Sequence, residues 1–492
     1  MKQKKCIILG AGIGGLATAV RLAAAGHQVT VVEQNESPGG KMREIKRDGF
    51  RFDTGPSLFT LPAMVEELLR VGEQDLASGF QYHKLSTVCR YFYEDGTQIN
   101  AYDEPTEFAR EASLQTGEPE DQVHHYLQEM ARRYQASANL FIFNPIQKLF
   151  QAARRESPSN LRPLLKVNPL QTMHAENRRR FRSPQLVQLF DRYATYNGSS
   201  PYMASSMLNV IAHLEHNTGA YFPVNGMHSI VKAVYEKARS MGVKFKFGCR
   251  VNKLIMQKGK IAGIQTTSGN EYADLLVSDI DVHSFYRKIA QNLKRPLSVK
   301  HPNLSSSAII FYWGMDGTWP QLDVHNILFS GQYKEEFRSL FKKRELFVDP
   351  TVYIFVSSKI VPGDAPTGKE NWFVMINVPS LGRDQIPENF LSRARELVIQ
   401  KIISVLKINP LPHILFEETA TPQTIEDFTG SYQGALYGNN SNSLWSAFLR
   451  HSNQARRYPN LFFTGGSVHP GGGIPLCLAS ASIVAQEIEK AG

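Results

Sequence analysis

The residues of this 492-residue chain best placed to do chemistry near its start carry no reactive side chains: Gly10-Ala11-Gly12-Ile13-Gly14-Gly15. The apolar run Cys6-Ile7-Ile8-Leu9 before them is short enough to be a buried parallel strand, and residues 17–25 read as a helix of small residues directly after them. In that setting Gly10 allows a tight turn, Gly12 lets the backbone approach a pyrophosphate, and Gly15 lets the helix pack closely on the strand. N–H groups at the helix start then face the phosphates. A second apolar run, Val29-Thr30-Val31-Val32, ends at Glu33, which lies 18 residues after Gly15. That spacing suits a carboxylate that accepts from a ribose 2′-OH and repels a 2′-phosphate. These two pieces leave NAD and FAD both open.

Gly39-Gly40 favours FAD. It follows Glu33 within seven residues and lets a second stretch of backbone approach an extended cofactor, which an NAD site does not need. Lys41 follows, and then Phe52-Asp53-Thr54-Gly55-Pro56-Ser57. At the far end of the chain, Leu461-Phe462-Phe463-Thr464 reads as a strand, residues 465–475 as a glycine-rich loop and residues 476–490 as a helix. A helix N-terminus beside glycines presents amides to flavin O2 and N1, where negative charge collects on reduction. Pro475 is tolerated there, because its missing N–H lies among those left unpaired at a helix start. The expected cofactor is FAD, in a site that both ends of the chain build.

These pieces must be positioned by a larger body. A hydrophobic content of 42% with 20% charged residues is that of a globular protein, and 492 residues exceed the size of a single core, so two or three sub-structures are expected. Cys6, Cys89, Cys249 and Cys477 form no C-x-x-C pair and read as reduced thiols of a cytosolic protein, with no structural zinc, no disulfide framework and no metal site. The apolar start is broken at Gly10 and lacks a cleavage site, so it reads as a strand and not a signal peptide. No run reaches 18 apolar residues, so no membrane span is expected.

The net charge of +10 is unevenly placed. Between positions 141 and 182 nine basic residues face two acids, Glu156 and Glu176, and they alternate with apolar side chains such as Phe141, Ile142, Phe143, Phe150 and Phe181. Apolar anchors flanked by Lys and Arg suit the headgroup boundary of anionic lipid. Arg178, Arg179, Arg180 and Arg182 are therefore the expected membrane contacts. Nucleic acid is not expected as a partner, because the aromatics here are Phe with aliphatic neighbours and no nucleic-acid-binding motif is present.

The patterns predict an α/β fold, Rossmann-like, with interleaved domains. Residues 1–80, 222–284 and 421–492 form a discontinuous FAD-binding domain, residues 285–420 a mixed-sheet substrate domain, and residues 81–221 a helical, membrane-facing cap. Within these, residues 118–136 and 229–241 read as helices, and residues 244–247, 251–256, 261–267 and 272–278 as strands.

Over nearly its whole length the chain resembles the phytoene-desaturase family of bacterial carotenoid desaturases and oxidases. The resemblance is carried by residues 10–15, Gly39-Gly40-Lys41-Met42, residues 49–57, Phe222-Pro223-Val224-Asn225-Gly226-Met227, Thr421-Pro422 and residues 469–475. It implies an FAD enzyme of the amine-oxidase-like fold, monotopic at the cytoplasmic face of a membrane, that draws a long polyene into an apolar tunnel ending at the isoalloxazine. It also implies O2 or a quinone as electron acceptor. Carried over by position, Gly10, Gly12, Ile13, Gly14 and Gly15 hold the pyrophosphate, and Glu33, with Gln34 beside it, the adenosine ribose. Gly40, Lys41 and Met42 border the pyrophosphate and flavin, and Gly55, Pro56 and Ser57 line the flavin face. Val251 gives a backbone contact to adenine, and Gly465, Gly466, Gly473, Ile474 and Pro475 surround the isoalloxazine and ribityl. Lys41 stands where many relatives carry Arg, and Lys lacks Arg's bidentate fork.

The resemblance also implies the chemistry. Desaturation removes two hydrogens from adjacent carbons, and the flavin accepts the hydride at N5, so no catalytic triad is required. No carboxylate stands out as a base; His469 and then His228 are the nearest candidates, and a structural role is the ordinary expectation for both. Tyr193, Tyr196 and Tyr221 are candidates to line the tunnel. Leu476-Cys477-Leu478 and Gly434-Ala435-Leu436-Tyr437-Gly438 look closest to members that desaturate hydroxylated carotenoids at carbons 3 and 4. The expected substrate is accordingly a hydroxylated monocyclic or acyclic carotene. The alternatives are a phytoene or diapophytoene desaturase, a terminal-methyl carotenoid oxidase and, in other classes, a carotenoid cis-trans isomerase or a prenyl-binding carrier like the GDP-dissociation inhibitors.

Overall fold

Short apolar runs from three separated parts of the chain assemble into one parallel sheet. A computed structural model describes residues 2–72, 75–145, 154, 157, 170–382, 388–443 and 450–490. In the sheet the strands lie in the order Leu461–Phe463, Leu275–Ser278, Lys5–Leu9, Gln28–Val32 and Lys244–Lys246, and every neighbouring pair is parallel. Side chains alternate across a strand. Cys6 and Ile8 therefore pack under the helices Ile13–Ala24, His228–Ser240 and Ile474–Lys490, whereas Ile7 and Leu9 face Leu254, Ile261 and Ile264. Those three belong to an antiparallel sheet of Val251–Gln257, Lys260–Thr266 and Gly269–Tyr272. The strand expected over 272–278 is thus two strands. Asp274 divides them: its carboxylate accepts from the Lys5 amide and its own amide donates to the Lys5 carbonyl, which turns the chain from the small sheet into the large one.

A second, seven-stranded sheet stands beside the first. Its order is Ile414–Ala420, Ser307–Met315, Glu370–Val378, Val352–Phe355, His325–Leu328, Thr87–Phe92 and Gln98–Tyr102. All neighbours are antiparallel except His325–Leu328 with Thr87–Phe92. One face, with Ile309, Trp313, Ile354 and Val374, packs with the helix Phe390–Leu406 through Ala394, Val398 and Ile402.

The last two strands correct the expected division of the chain, because they come from the stretch read as a helical cap. Gln98–Tyr102 buries Ile99 and Ala101 between half-exposed neighbours, the period-two pattern of a strand, and Glu94-Asp95-Gly96 makes the turn before it. Helices dominate only from Pro105–Thr116 and Glu120–Phe141 onward, followed by Met173–Arg180, Pro184–Asp191 and Ile211–His216. Tyr82–Lys84 pairs with Tyr221–Pro223 and ties the two ends of this insertion together. Among the described residues no helix is long and apolar enough to cross a membrane.

Candidate active site

Parallel strands deliver their carboxyl ends to one rim, where α/β proteins bind ligands. Here Gly10 follows Leu9, Glu33 follows Val32, Asp279 follows Ser278, and Thr464-Gly465 follow Phe463. Backbone meets backbone at this rim. A Cβ on Gly14 would lie 2.8 Å from the Gly465 Cα, one on Gly40 3.4 Å from the Gly12 Cα, and one on Gly55 2.1 Å from the Lys41 carbonyl oxygen. The Gly39 amide also donates to the Ala11 carbonyl at 2.9 Å. Glycines thus leave a groove edged by peptide groups beside the start of the helix Ile13–Ala24, the surface a diphosphate needs. The dinucleotide cofactor expected from the sequence fits this cradle.

A cavity of ≈ 1080 Å³ runs from the rim to the other face of the seven-stranded sheet and the cap. It lies at the upper limit of the common range for ligand pockets, roughly 300–1,000 Å³. Gly10, Gly12, Ile13, Gly14, Glu33, Gln34, Gly40, Lys41, Met42, Gly55, Pro56, Ser57, Val251, Gly466, Gly473, Ile474 and Pro475 all line it. Gly15 and Gly465 do not. A Cβ on Gly15 would lie 2.3 Å from the Gly10 carbonyl oxygen and one on Gly465 2.1 Å from Asp279 Oδ1, so both glycines serve close packing behind the cavity wall.

Two carboxylates set the electrostatics of the rim. Glu33 Oε2 accepts from the Ala11 amide at 2.8 Å, and Oε1 from the Asn35 amide and side chain at 2.9 and 2.8 Å. This holds the carboxylate at the rim with lone pairs left for ribose hydroxyls. Sequence reading missed Asp279, although its place after a strand of the same sheet was a usable signal. Burial pushes its carboxyl up to about 8, against the opposing pull of the Gly15 and Gly12 amides. A neutral acid there accommodates a diphosphate anion. Lys41 is held below its ordinary value by burial, which Asp281, Cys477 and Asp279 partly offset, and its ammonium donates to the Leu436 carbonyl.

Further contacts explain why the stretches 49–57 and 222–227 belong together. Arg51 donates to Asp53 at 2.7 Å, to Glu44 at 2.8 Å and to Asp364 at 3.2 Å. Asp53 in turn accepts from the Met227 and His228 amides, each at 2.9 Å. A Cβ on Gly226 would lie 2.2 Å from Arg51 Nη1, so only glycine fits against this guanidinium.

The structure separates the remaining candidates. His228 lies off the cavity and bonds through Nδ1 to the Met42 carbonyl at 2.7 Å. His469 lines the cavity, but its Nε2 bonds to the Asn144 carbonyl at 2.8 Å, and burial lowers its pKa, so it ties the C-terminal loop to the end of a cap helix. Tyr196 lines the cavity. Tyr193 and Tyr221 lie behind it: the Tyr193 hydroxyl donates to Glu215 at 2.8 Å and that of Tyr221 to the Thr218 carbonyl at 3.0 Å, each completing cap packing. Arg180 is engaged by Glu129 at 2.8 Å and Glu176 at 3.6 Å, whereas Arg178, Arg179 and Arg182 are exposed. Of the basic insertion between them and Phe143, residues 146–153, 155–156 and 158–169 lie outside the described residues.

The wall opposite the rim holds polar residues that sequence reading did not find. Arg192 donates to Glu215 at 2.9 Å and to the Tyr91 hydroxyl at 2.8 Å. Ser57 Oγ lies 2.6 Å from the Tyr353 hydroxyl, which lies 2.7 Å from His325 Nδ1. Burial, and then the Arg192 charge, hold the His325 imidazole down to about 3, so it is neutral.

This sheet, rim and glycine cradle are those of a flavoprotein, and the chain belongs to the flavin-containing amine oxidoreductase family, which it matches over residues 13–489. It is an FAD-dependent oxidoreductase. It is 44% identical over 489 residues, 99% of each chain, to the 1-hydroxycarotenoid 3,4-desaturase of Flavobacterium sp. (strain P99-3). To the 4,4′-diaponeurosporene oxygenase of Staphylococcus haemolyticus (strain JCSC1435) it is 30% identical over 491 residues, covering 99% of this chain and 97% of the other. Among solved structures, putrescine oxidase bound to putrescine superposes with a TM-score of 0.64 over 99% of both chains at 12% identity, a likeness of fold alone.

Proposed function

We propose that this protein is a carotenoid desaturase that introduces the 3,4 double bond into a 1-hydroxylated acyclic or monocyclic carotene. The full-length 44% identity to a 1-hydroxycarotenoid 3,4-desaturase carries this reading. The cavity supports it: beyond the rim its walls include Leu58, Val88, Ile211, Leu214 and Ile327, a lining for a hydrocarbon. When bound, FAD would supply the acceptor for a hydride from one of two adjacent carbons, the other carbon losing its hydrogen as a proton. The chain's own work is positioning. The glycine cradle, Glu33 and Asp279 hold the cofactor, the sheet face and cap exclude water, and the apolar walls align the polyene.

The same reading includes a peripheral place at the cytoplasmic face of a membrane, with O2 or a quinone as final electron acceptor. A carotene is insoluble in water, so the cavity has to be loaded from lipid. Phe143 supports this, because it lines the cavity while 39% exposed, and so does Leu170, 79% exposed within the basic insertion. The test is to incubate the FAD-loaded protein with a panel of carotenoids and weigh the products. Loss of two hydrogens from the 1-hydroxylated member is expected. Gain of oxygen, or isomerisation at unchanged mass, would overturn the reading.

A further inference from the structure

The cavity face of the seven-stranded sheet mixes apolar side chains with polar ones, among them Tyr312, Asn377 and Glu418. Ile327 and Phe373 line it, and His325 and Tyr353 stand among them on the paired strands His325–Leu328 and Val352–Phe355. Ser57 joins these two from the loop that opposes the sheet, and the three form one hydrogen-bonded chain, Ser57–Tyr353–His325, at 2.6 and 2.7 Å. His325 is 97% buried, and its Nε2 has no partner among the described residues. A buried nitrogen left in that state is costly, so a ligand group that meets it is worth having.

The chain of three also has a fixed hydrogen-bonding remainder. If Ser57 donates to Tyr353 and Tyr353 to His325 Nδ1, the neutral ring carries its proton on Nε2 and offers a donor, while the Ser57 oxygen keeps lone pairs. If the direction reverses, Nε2 offers a lone pair and the Ser57 hydroxyl a proton. Either way one end of the chain offers a donor and the other an acceptor, and an alcohol can pair with either end where a hydrocarbon cannot.

Location supplies the second argument. A hydroxyl on carbon 1 is separated from a 3,4 bond by a single carbon, so its partner must stand close to the cofactor-facing loop. Ser57 belongs to that loop, directly after Gly55-Pro56, and it lines the same cavity. The other polar cluster of this wall, Arg192, Glu215 and Tyr91, is held together by its own hydrogen bonds, with Arg192 Nε left without a partner among the described residues.

Resting on the substrate class proposed above, we infer that Ser57, Tyr353 and His325 bind the carbon-1 hydroxyl of the polyene and thereby set which bond lies against the cofactor. His325 and Tyr353 are specificity-determining residues, in contact with the end group and not with the bond that reacts.

The experiment uses the full-length FAD-loaded protein in lipid vesicles and compares kcat/KM for a 1-hydroxylated acyclic carotene with that for the same polyene carrying hydrogen in place of the hydroxyl. The unaltered protein is expected to prefer the hydroxylated polyene by at least roughly 100-fold, since a site built to pair a hydroxyl rejects the analogue lacking it. Tyr353→Phe and His325→Leu each lower that ratio at least about tenfold, and His325→Gln, which keeps an N–H near the Nε2 position, restores most of it. Bound flavin absorbance reports whether each variant is folded, and Tyr353→Phe, which keeps the ring, serves if His325→Leu is not. Both rates falling together at a constant ratio would overturn the hydroxyl site, as would an unaltered protein that desaturates both polyenes equally; that last result leaves the desaturase reading standing. Turnover of neither polyene defeats the desaturase reading itself and the hydroxyl site with it.

Discussion

The two ends of the cavity are built by different means. At the rim of the parallel sheet the wall is backbone, because Gly12, Gly14, Gly40 and Gly55 carry no side chains. At the seven-stranded sheet and cap the wall is made of side chains, such as His325 and Ile327 from alternate positions of one strand. Backbone recognition requires particular residues in a row, and so it leaves a motif. Side-chain recognition gathers one residue from each of several strands, and so it leaves none.

The sharpest way to break this comparison is Gly14→Val. The added side chain would meet the Gly465 backbone and Asp279, and essentially all bound flavin is expected to be lost. A purified variant with a full flavin spectrum near 450 nm would refute backbone recognition at the rim.

Arg51→Met tests how the rim is held. It leaves the carboxylates of Asp53 and Asp364, each 2% exposed, without their guanidinium. Removing one partner of a buried ion pair costs about 3–5 kcal/mol, and a fall in melting temperature should accompany loss of flavin. A variant melting with the unaltered protein would show that this network is dispensable.

Asp279 gives the rim a pH dependence of its own. Its carboxyl ionises at about 8 in the folded protein against 3.8 ordinarily, because of burial. The folded state therefore keeps a proton that the unfolded chain releases, and stability falls as pH rises through the interval between those values and levels off above it. Flavin retention follows the same direction, since the neutral acid tolerates a diphosphate. Asp279→Asn, neutral throughout, should flatten both profiles in melting and flavin-release measurements from pH 5 to 9, and an unchanged slope would contradict the assignment.

The smallest expected effect concerns the cap surface. Arg178→Ser, Arg179→Ser and Arg182→Ser together should weaken pelleting with anionic vesicles by roughly 1 kcal/mol per residue, and less at high salt. Arg180 is left in place because Glu129 and Glu176 engage it. Unchanged pelleting at low salt would remove this surface from the membrane reading.

The same contrast explains what the sequence made legible. Seventeen of the nineteen expected cofactor residues line the cavity, and the glycines among them announce themselves by spacing. Gly15 packs the helix on the strand, the role its place in the motif predicts, whereas Gly465 lies behind the cavity wall, since a glycine that spares a neighbouring protein group looks the same in sequence as one that spares a ligand. Asp279 belongs to no motif, and its one signal is its place directly after Leu275–Ser278, a strand of the same sheet. Of the three tyrosines only Tyr196 reaches the cavity, because burial against Glu215 or Thr218 is a tertiary outcome. His325 and Tyr353 were invisible for the same reason: their strands read as ordinary sheet, and only the pairing of His325 with Phe355 brings them side by side.

Desaturation by bound flavin is read out by anaerobic mixing of the FAD-loaded protein with one equivalent of a 1-hydroxylated carotene. The flavin band near 450 nm should bleach, with one polyene lighter by two hydrogens for each flavin reduced. An oxidised flavin beside an unchanged or merely isomerised polyene would contradict it.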